Sequence, residues 1–326
     1  MQDLIDRFKA GEQRALARLI SKLENEAPDR EEILKKLYYL TGRAKILGVT
    51  GSPGAGKSSL VDQLAKLIRK RGETVGIIAV DPSSPFSGGA LLGDRIRMAE
   101  LSMDKGVFIR SMGTRGSLGG LAKTSKEVVK AMDAFGMDWV IVETVGVGQA
   151  ELDIMHVANT VMVVLTPGAG DAIQTLKAGI MEIADVFAVH KCDLPGADKI
   201  ATDVDIMLDQ QGEKKGWRAP VVQASSMKNI GLEELLDKVI AHYQYLKDND
   251  LLEIQRQERA KAETLEVVDY RWHKLVTEHT NYPGKVNEIL EKVAKMEMDP
   301  YEAANIILEF VTTNFDWNKL ANPGLK

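Results

Sequence analysis

The chain has 326 residues, of which 44% are hydrophobic and 27% are charged. This composition is typical of a globular protein with a sizeable core, and it excludes a disordered chain or a very small disulfide-dependent fold. The formal net charge is -5 and no stretch is strongly basic, which disfavours nucleic acid as a partner. A single cysteine favours a cytoplasmic location, and the lack of any run of about 18 apolar residues disfavours a membrane span.

The sequence divides into three segments. Residues 1–44 place apolar residues at helical spacing on both sides of a break at Pro28-Asp29, which predicts two helices packed on the main body. Residues 247–326 have no strand signal and predict a helical arm: a long charged helix over 251–276, a turn at Pro283-Gly284 and two further helices. The last of these begins with Asp299 as its N-cap.

The middle segment, residues 45–246, alternates short apolar runs with helix-length amphipathic stretches. The predicted strands are ILGVT, VGIIAV, VFI, WVIVE, TVMVVL, VFAVH and APVVQA. Apolar runs without alternation are typical of strands that are buried on both faces. We therefore expect an α/β fold with a mostly parallel sheet that is covered by helices.

The strongest motif is GSPGAGKS, which matches the phosphate-binding pattern GxxxxGK[ST] and lies between a predicted strand and a predicted helix. In such a loop the backbone N–H groups and a lysine bind phosphate oxygens, and the Ser hydroxyl binds Mg²⁺. A glycine-rich turn that matches by chance is the alternative, and the flanking elements disfavour it. The candidate nucleotide-binding residues here are Gly51, Ser52, Pro53, Gly54, Ala55, Gly56, Lys57, Ser58 and Ser59.

Carboxylates follow other predicted strands. Glu143 ends WVIVE and precedes Gly146, an ExxG motif where many GTPases have DxxG. In this motif the acidic residue holds Mg²⁺ or its waters, and the glycine N–H donates a hydrogen bond to the γ-phosphate. Together with the lysine of the phosphate loop, this makes Lys57, Glu143 and Gly146 the catalytic candidates. Asp81 and Asp94 are further candidate metal ligands, although a strand-end turn or a helix cap would equally explain them.

A base-recognition motif follows VFAVH. His190-Lys191-Cys192-Asp193 resembles the guanine motif NKxD with its first residue changed. The Asp193 carboxylate would accept two hydrogen bonds from guanine, which adenine does not offer, and the Lys191 stem would cover the base. One strand later, Ala224-Ser225 stand at the usual place of a second base-contacting loop. His190 is a candidate ligand, or a strand-end residue without a nucleotide role.

Four stretches together resemble one family. GVTGSPGAGKSSL, AVDPSSPFSGGALLGDRIRM, VIVETVGVGQAE and HKCDLPGADK are similar to the methylmalonyl-CoA mutase-associated GTPases, the MeaB/ArgK type that includes the methylmalonic aciduria type A protein. The resemblance implies a P-loop GTPase that uses GTP and Mg²⁺. It also implies a homodimer joined through the C-terminal helices. The partner would be an adenosylcobalamin-dependent acyl-CoA mutase, whose cofactor loading the GTPase gates and which it protects or reactivates.

By the same resemblance, Lys57 and Ser58 bind phosphate and Mg²⁺, and three carboxylates surround the metal: Asp81, Asp94 and Glu143. The implied switch segments are residues 81–94 and 143–151. An additional switch at 166–177 would respond to binding of the mutase. The sequence departs from the family at position 190, where His replaces the usual Asn. We expect guanine preference to be kept through Asp193.

Two other functions remain open from sequence. A metal-insertion GTPase, or metallochaperone, shares the ExxG motif, although the chain has no His-rich or Cys-rich tract. A kinase of a transport-system binding protein is not distinguished from a hydrolase by any residue, because both begin with the same bound nucleotide.

Overall fold

The computed structural model of the protein describes residues 1–81, 98–113, 123–144, 150–168, 179–211, 216–278 and 283–314. Seven strands of these residues form one sheet in the order β3-β2-β4-β1-β5-β6-β7, and every neighbouring pair is parallel. The strands are β1 (Lys45–Gly51), β2 (Val75–Asp81), β3 (Val107–Gly113), β4 (Trp139–Glu143), β5 (Thr160–Leu165), β6 (Val186–His190) and β7 (Val221–Ala224). The predicted parallel α/β fold is confirmed.

The helices of the described residues precede the sheet, connect its strands and follow it. They are α1 (Gln2–Lys9), α2 (Gln13–Glu24), α3 (Arg30–Tyr38), α4 (Lys57–Lys70), α5 (Ala99–Ser102), α6 (Lys123–Phe135), α7 (Ala150–Asp153), α8 (Ile180–Ile183), α9 (Ala197–Gln211), α10 (Leu232–Asp248), α11 (Leu251–Glu278), α12 (Pro283–Ala294) and α13 (Pro300–Asn314). Among the described residues, none of these helices is long and apolar enough to cross a membrane.

The sheet is buried on both faces because successive side chains of a strand point in opposite directions. In β4, Val140 and Val142 join a core cluster with helices α1, α2, α3, α6 and α9. The alternate residues Trp139 and Ile141 join a second cluster with α4 and α10. This double burial explains why the strands are uninterrupted apolar runs.

The N-terminal segment contains three helices where the sequence pattern predicted two. Helix α1 ends before Gly11, whose φ of +79° is the left-handed conformation that glycine adopts without strain. The helices are fixed to α6 by apolar packing and by an ion pair in which Arg30 donates to Glu127 at 2.9 and 2.7 Å. Both side chains are mostly buried, so this bidentate pair specifies how the helices lie against the sheet.

Asp133 of α6 anchors the segment that leads into β1. Its carboxylate accepts hydrogen bonds from the backbone N–H groups of Gly42, Arg43 and Ala44 at 2.5, 3.0 and 2.8 Å. Asp133 is 5% exposed, so water cannot readily replace these bonds. The carboxylate therefore sets where β1 begins, and β1 in turn carries the phosphate loop.

The chain divides into two compact units, residues 1–255 and 256–326. The first contains α1 to α10 and the whole sheet. In the second, α12 and α13 bury Val286, Ile289, Ala303 and Val311. The predicted cap of the last helix is confirmed, since Asp299 Oδ1 accepts the N–H groups of Tyr301 and Glu302 at 2.8 and 3.1 Å.

We predict that Asp133→Ala destabilises the protein by about 2–4 kcal/mol, because three backbone donors lose a charged acceptor in a buried place. Urea unfolding followed by circular dichroism measures the change. Asp203→Ala, a partly exposed position on α9, is the matched control and should change stability by less than about 0.5 kcal/mol. Equal effects of the two substitutions would contradict the anchoring role.

Candidate active site

The phosphate loop is residues 51–56, which connect β1 to α4. Gly56 caps α4 with a φ of +89°, so the helix N-terminus opens directly onto the loop. At the other end, a Cβ on Gly51 would lie 2.1 Å from the carbonyl oxygen of Val164 in β5. Only glycine allows this approach, and the loop is therefore held against the neighbouring strand.

Side chains from two directions bind the carbonyl groups of the loop. Lys57 Nζ donates to the oxygens of Gly51 and Ser52 at 2.7 and 3.0 Å. Lys191 Nζ donates to Gly54 O at 2.8 Å. A loop whose carbonyls are bound in this way, placed at a helix N-terminus, is an anion site of the kind that receives phosphate groups.

Ser58 and Glu143 meet beside this loop. The Ser58 hydroxyl donates to Glu143 Oε1 at 2.6 Å, and the Glu143 side chain is 7% exposed. Glu143 pairs with Val49 of β1 in the parallel register, which places the end of β4 next to the strand that enters the loop. Hydroxyl and carboxylate oxygens are the ligands that Mg²⁺ takes in proteins, so the donor set fits this ion.

The other predicted metal ligands are only partly described. The Asp81 backbone ends β2 at the same edge of the sheet, two residues beyond Ala79, the β2 residue that pairs with Glu143. The Asp81 side chain, Asp94 and Gly146 lie outside the described residues, as does most of each predicted switch segment. Within the described ranges, no group of three or more His, Cys, Asp or Glu residues is placed to hold a metal ion.

Two threonines behind the site were not predicted. Thr144 donates its backbone N–H to Val49 O at 3.0 Å, and its hydroxyl donates to the Thr50 hydroxyl at 2.9 Å. Both side chains are fully buried. They join the residue after Glu143 to β1, so they position the carboxylate. The sequence signal that could have identified them is a threonine at the end of an apolar strand: Thr50 near the end of β1, and Thr144 directly after β4.

The two predicted base loops are joined. Asp193 Oδ1 accepts the Ser225 hydroxyl at 2.6 Å, and Cys192 N donates to Ala224 O at 3.1 Å. The Ser225 hydrogen bond is the main cause that lowers the pKa of Asp193, so its exposed carboxylate stays ionised at neutral pH. An ionised carboxylate held in this position is the acceptor that guanine recognition requires.

His190 lies between the phosphate loop and the second base loop, and it is 4% exposed. Its Nδ1 is 2.8 Å from Ala55 O, and its Nε2 accepts the backbone N–H of Ser226 at 3.3 Å and also contacts the Ser226 hydroxyl. Burial is the main cause that lowers the pKa of His190. The ring therefore contacts the two loops rather than standing as an isolated strand-end residue.

A parallel sheet with a glycine-rich loop ahead of a Lys-Ser helix start, and an acidic residue ending the adjacent strand, defines a P-loop nucleotide-binding protein. Residues 16–281 match the family model described as methylmalonyl Co-A mutase-associated GTPase MeaB. The chain belongs to this family, and it is a GTPase that binds guanine nucleotide.

Individual relatives agree with this assignment. A Pyrococcus abyssi protein provisionally named a GTPase is 49% identical over 95% of this chain and 96% of that protein. The GTPase ArgK of Escherichia coli is 32% identical over 80% of this chain and 81% of its own. The crystal structure of a protein titled LAO/AO transport system kinase has the same fold, with a TM-score of 0.70, 24% identity, and coverage of 95% of this chain and 97% of that one.

We predict that Lys57→Ala lowers kcat/KM for GTP at least about 100-fold, because the loop loses the cation that neutralises charge developing on the phosphates. Release of free phosphate measures the rate. Lys70→Ala, an exposed position at the end of the same helix, is the matched control and should retain full activity. A Lys57→Ala protein with undiminished GTPase activity would contradict the site.

Proposed function

We propose that this GTPase is a chaperone of an adenosylcobalamin-dependent acyl-CoA mutase, with methylmalonyl-CoA mutase as the first candidate. The observation that carries the proposal is the family match over residues 16–281, whose description names that mutase. A Mus musculus protein named methylmalonic aciduria type A homolog, mitochondrial, supports it at 29% identity over 94% of this chain and 80% of that protein. The GTPase cycle would gate loading of the cofactor and protect or reactivate the mutase.

The described residues suit the hydrolytic half of this function. Water attacks the γ-phosphorus, the bond to the bridging oxygen breaks, and GDP leaves. Lys57 would neutralise charge on the β and γ oxygens, and the loop N–H groups would hold the phosphates in line for attack. The Gly146 N–H would donate a hydrogen bond to the γ-phosphate and so help to hold it in line for attack.

Ser58 and Glu143 would hold Mg²⁺, with Asp81 and Asp94 as the remaining carboxylates. When bound, the ion supplies charge neutralisation at the phosphates. The 2.6 Å contact between the Ser58 hydroxyl and Glu143 supports this pairing, because it brings two hard oxygen donors from different elements to one point beside the phosphate loop.

The base would be read by the joined loops. Asp193 would accept from the N1–H and 2-amino groups of guanine, the Lys191 stem would cover the base plane, and Ala224 with Ser225 would close the pocket. The hydrogen bond from Ser225 to Asp193, at 2.6 Å, supports this arrangement because it fixes the carboxylate before the base arrives.

We further propose that the helices of residues 247–326 join two copies of the chain. Exposed apolar side chains on these helices support a homodimer, since large apolar groups in water mark surfaces that associate. They include Leu265 and Val268 on α11, which are 64% and 55% exposed, Leu290 on α12 and Leu308 on α13.

We predict that purified methylmalonyl-CoA mutase accelerates GTP hydrolysis by this protein several-fold and co-elutes with it in a nucleotide-dependent manner. The physical reason is that a partner which binds one nucleotide state better must shift the populations of the switch segments. Phosphate release with and without mutase measures the acceleration, and light scattering of the GTPase alone measures its mass, expected to be that of a dimer.

The Lys57→Ala protein is the matched control, since it should not be accelerated. An unchanged hydrolysis rate and no co-elution with any acyl-CoA mutase would overturn the chaperone proposal while leaving the GTPase assignment intact. Transfer of label from γ-labelled GTP to a protein, in place of free phosphate, would instead support the kinase alternative.

A further inference from the structure

Two backbone groups show which ring nitrogen of His190 carries a proton. The Ala55 carbonyl, 2.8 Å from Nδ1, can only accept a hydrogen bond, so Nδ1 carries a proton. The Ser226 backbone N–H, 3.3 Å from Nε2, can only donate, so Nε2 must offer a lone pair. These two contacts together specify the neutral ring protonated at Nδ1, and the Ser226 hydroxyl, which can donate or accept, then donates to Nε2.

The ring also fills the space beside the phosphate loop. A Cβ on Gly56 would lie 2.5 Å from His190 Nδ1 and 2.6 Å from Cε1. The imidazole therefore packs directly against the backbone of the residue that caps α4. Because the loop and helix start form the anion site, the ring contacts the backbone that would receive phosphate.

The ring joins parts of the site that are distant in sequence. His190 is 135 residues from Ala55 and 36 residues from Ser226. Ser226 directly follows Ser225, which holds Asp193, so the same imidazole bears on the phosphate loop and on the base loop. The imidazole thus bridges the phosphate loop and the second base loop.

We propose that His190 is a positioning residue that holds the phosphate loop and the base loops in register only as the neutral Nδ1–H imidazole, so that its protonation releases guanine nucleotide. The inference rests on guanine-nucleotide binding at this site and is independent of the mutase partnership. A proton on Nε2 would oppose the Ser226 N–H and would force the Ser226 hydroxyl to turn from donor to acceptor, so the second base loop would have to shift away from the ring.

Charged groups lie on the elements around His190. They include Lys57 at the start of α4, Lys191 and Asp193 on the loop that follows His190, and Lys228 after β7. Of these, Lys191 and Asp193 affect the pKa of His190. Burial and Lys191 lower the pKa of His190 from its usual 6.5, against the opposing effects of the Ala55 hydrogen bond and Asp193. The neutral ring is therefore complete above about pH 6.5 and is lost as the pH falls through the lowered value.

Asn at position 190 offers a test, because its amide both donates and accepts but does not titrate in this range. We expect the dissociation constant of GDP for the wild-type protein to be constant above about pH 6.5. At lower pH it should rise relative to His190→Asn, by up to tenfold per pH unit. GDP phosphate ionisation is common to both proteins and cancels in their ratio. His190→Ala should bind GDP about tenfold or more weakly at every pH, since both contacts are lost.

His156→Asn makes the same chemical change at an exposed histidine, and its pH profile should match the wild type. A constant ratio between wild type and His190→Asn across the pH range would overturn the inference while leaving nucleotide binding intact. Failure of the wild-type protein to bind GDP at about pH 8 would overturn both.

Nitrogen NMR of the full chain provides a reading that does not depend on the folding of a variant. The His190 ring should show a protonated Nδ1 and an unprotonated Nε2 at neutral pH. The opposite tautomer, or a ring protonated on both nitrogens, would overturn the inference.

Discussion

The site depends on a phosphate loop that is fixed at both ends by neighbouring strands. Gly51 lies against the Val164 carbonyl of β5, and Gly56 lies against the imidazole of His190 at the end of β6. Lysines bind the carbonyls between these points. These contacts within the protein hold the loop in one shape, which lowers the free-energy cost of ordering it around a phosphate.

The sheet supplies the positions that this loop needs. Because all seven strands are parallel, their carboxyl ends share one edge, and the ends of β1, β4 and β6 bring the loop, Glu143 and His190 together. The Asp133 carboxylate accepts hydrogen bonds from three backbone N–H groups just before β1, so the start of this strand is also held in place.

Local patterns were predictable from the sequence, and contacts distant along the chain were not. All seven strands appear as apolar runs, and the phosphate loop is a contiguous motif. Strand β3 extends beyond the predicted VFI because its backbone pairs with β2 as far as Gly113. The polar Arg110 is accommodated in it by donating to Glu24 of α2 at 2.9 Å. The break between α1 and α2 depends on the left-handed Gly11. His190 could be recognised as unusual, but its partners lie 135 and 36 residues away, which no local pattern reveals.

Base selection by Asp193 tests the central claim, that the described loops form a guanine-nucleotide site. Asp193→Asn keeps an oxygen for the Ser225 hydroxyl but replaces an acceptor with an N–H donor, which suits the 2-oxo group of xanthine. Calorimetric titration with GDP and XDP should show GDP affinity reduced at least about 100-fold and XDP affinity increased, while Asp203→Asn behaves as the wild type. Unchanged GDP binding by Asp193→Asn would contradict the account.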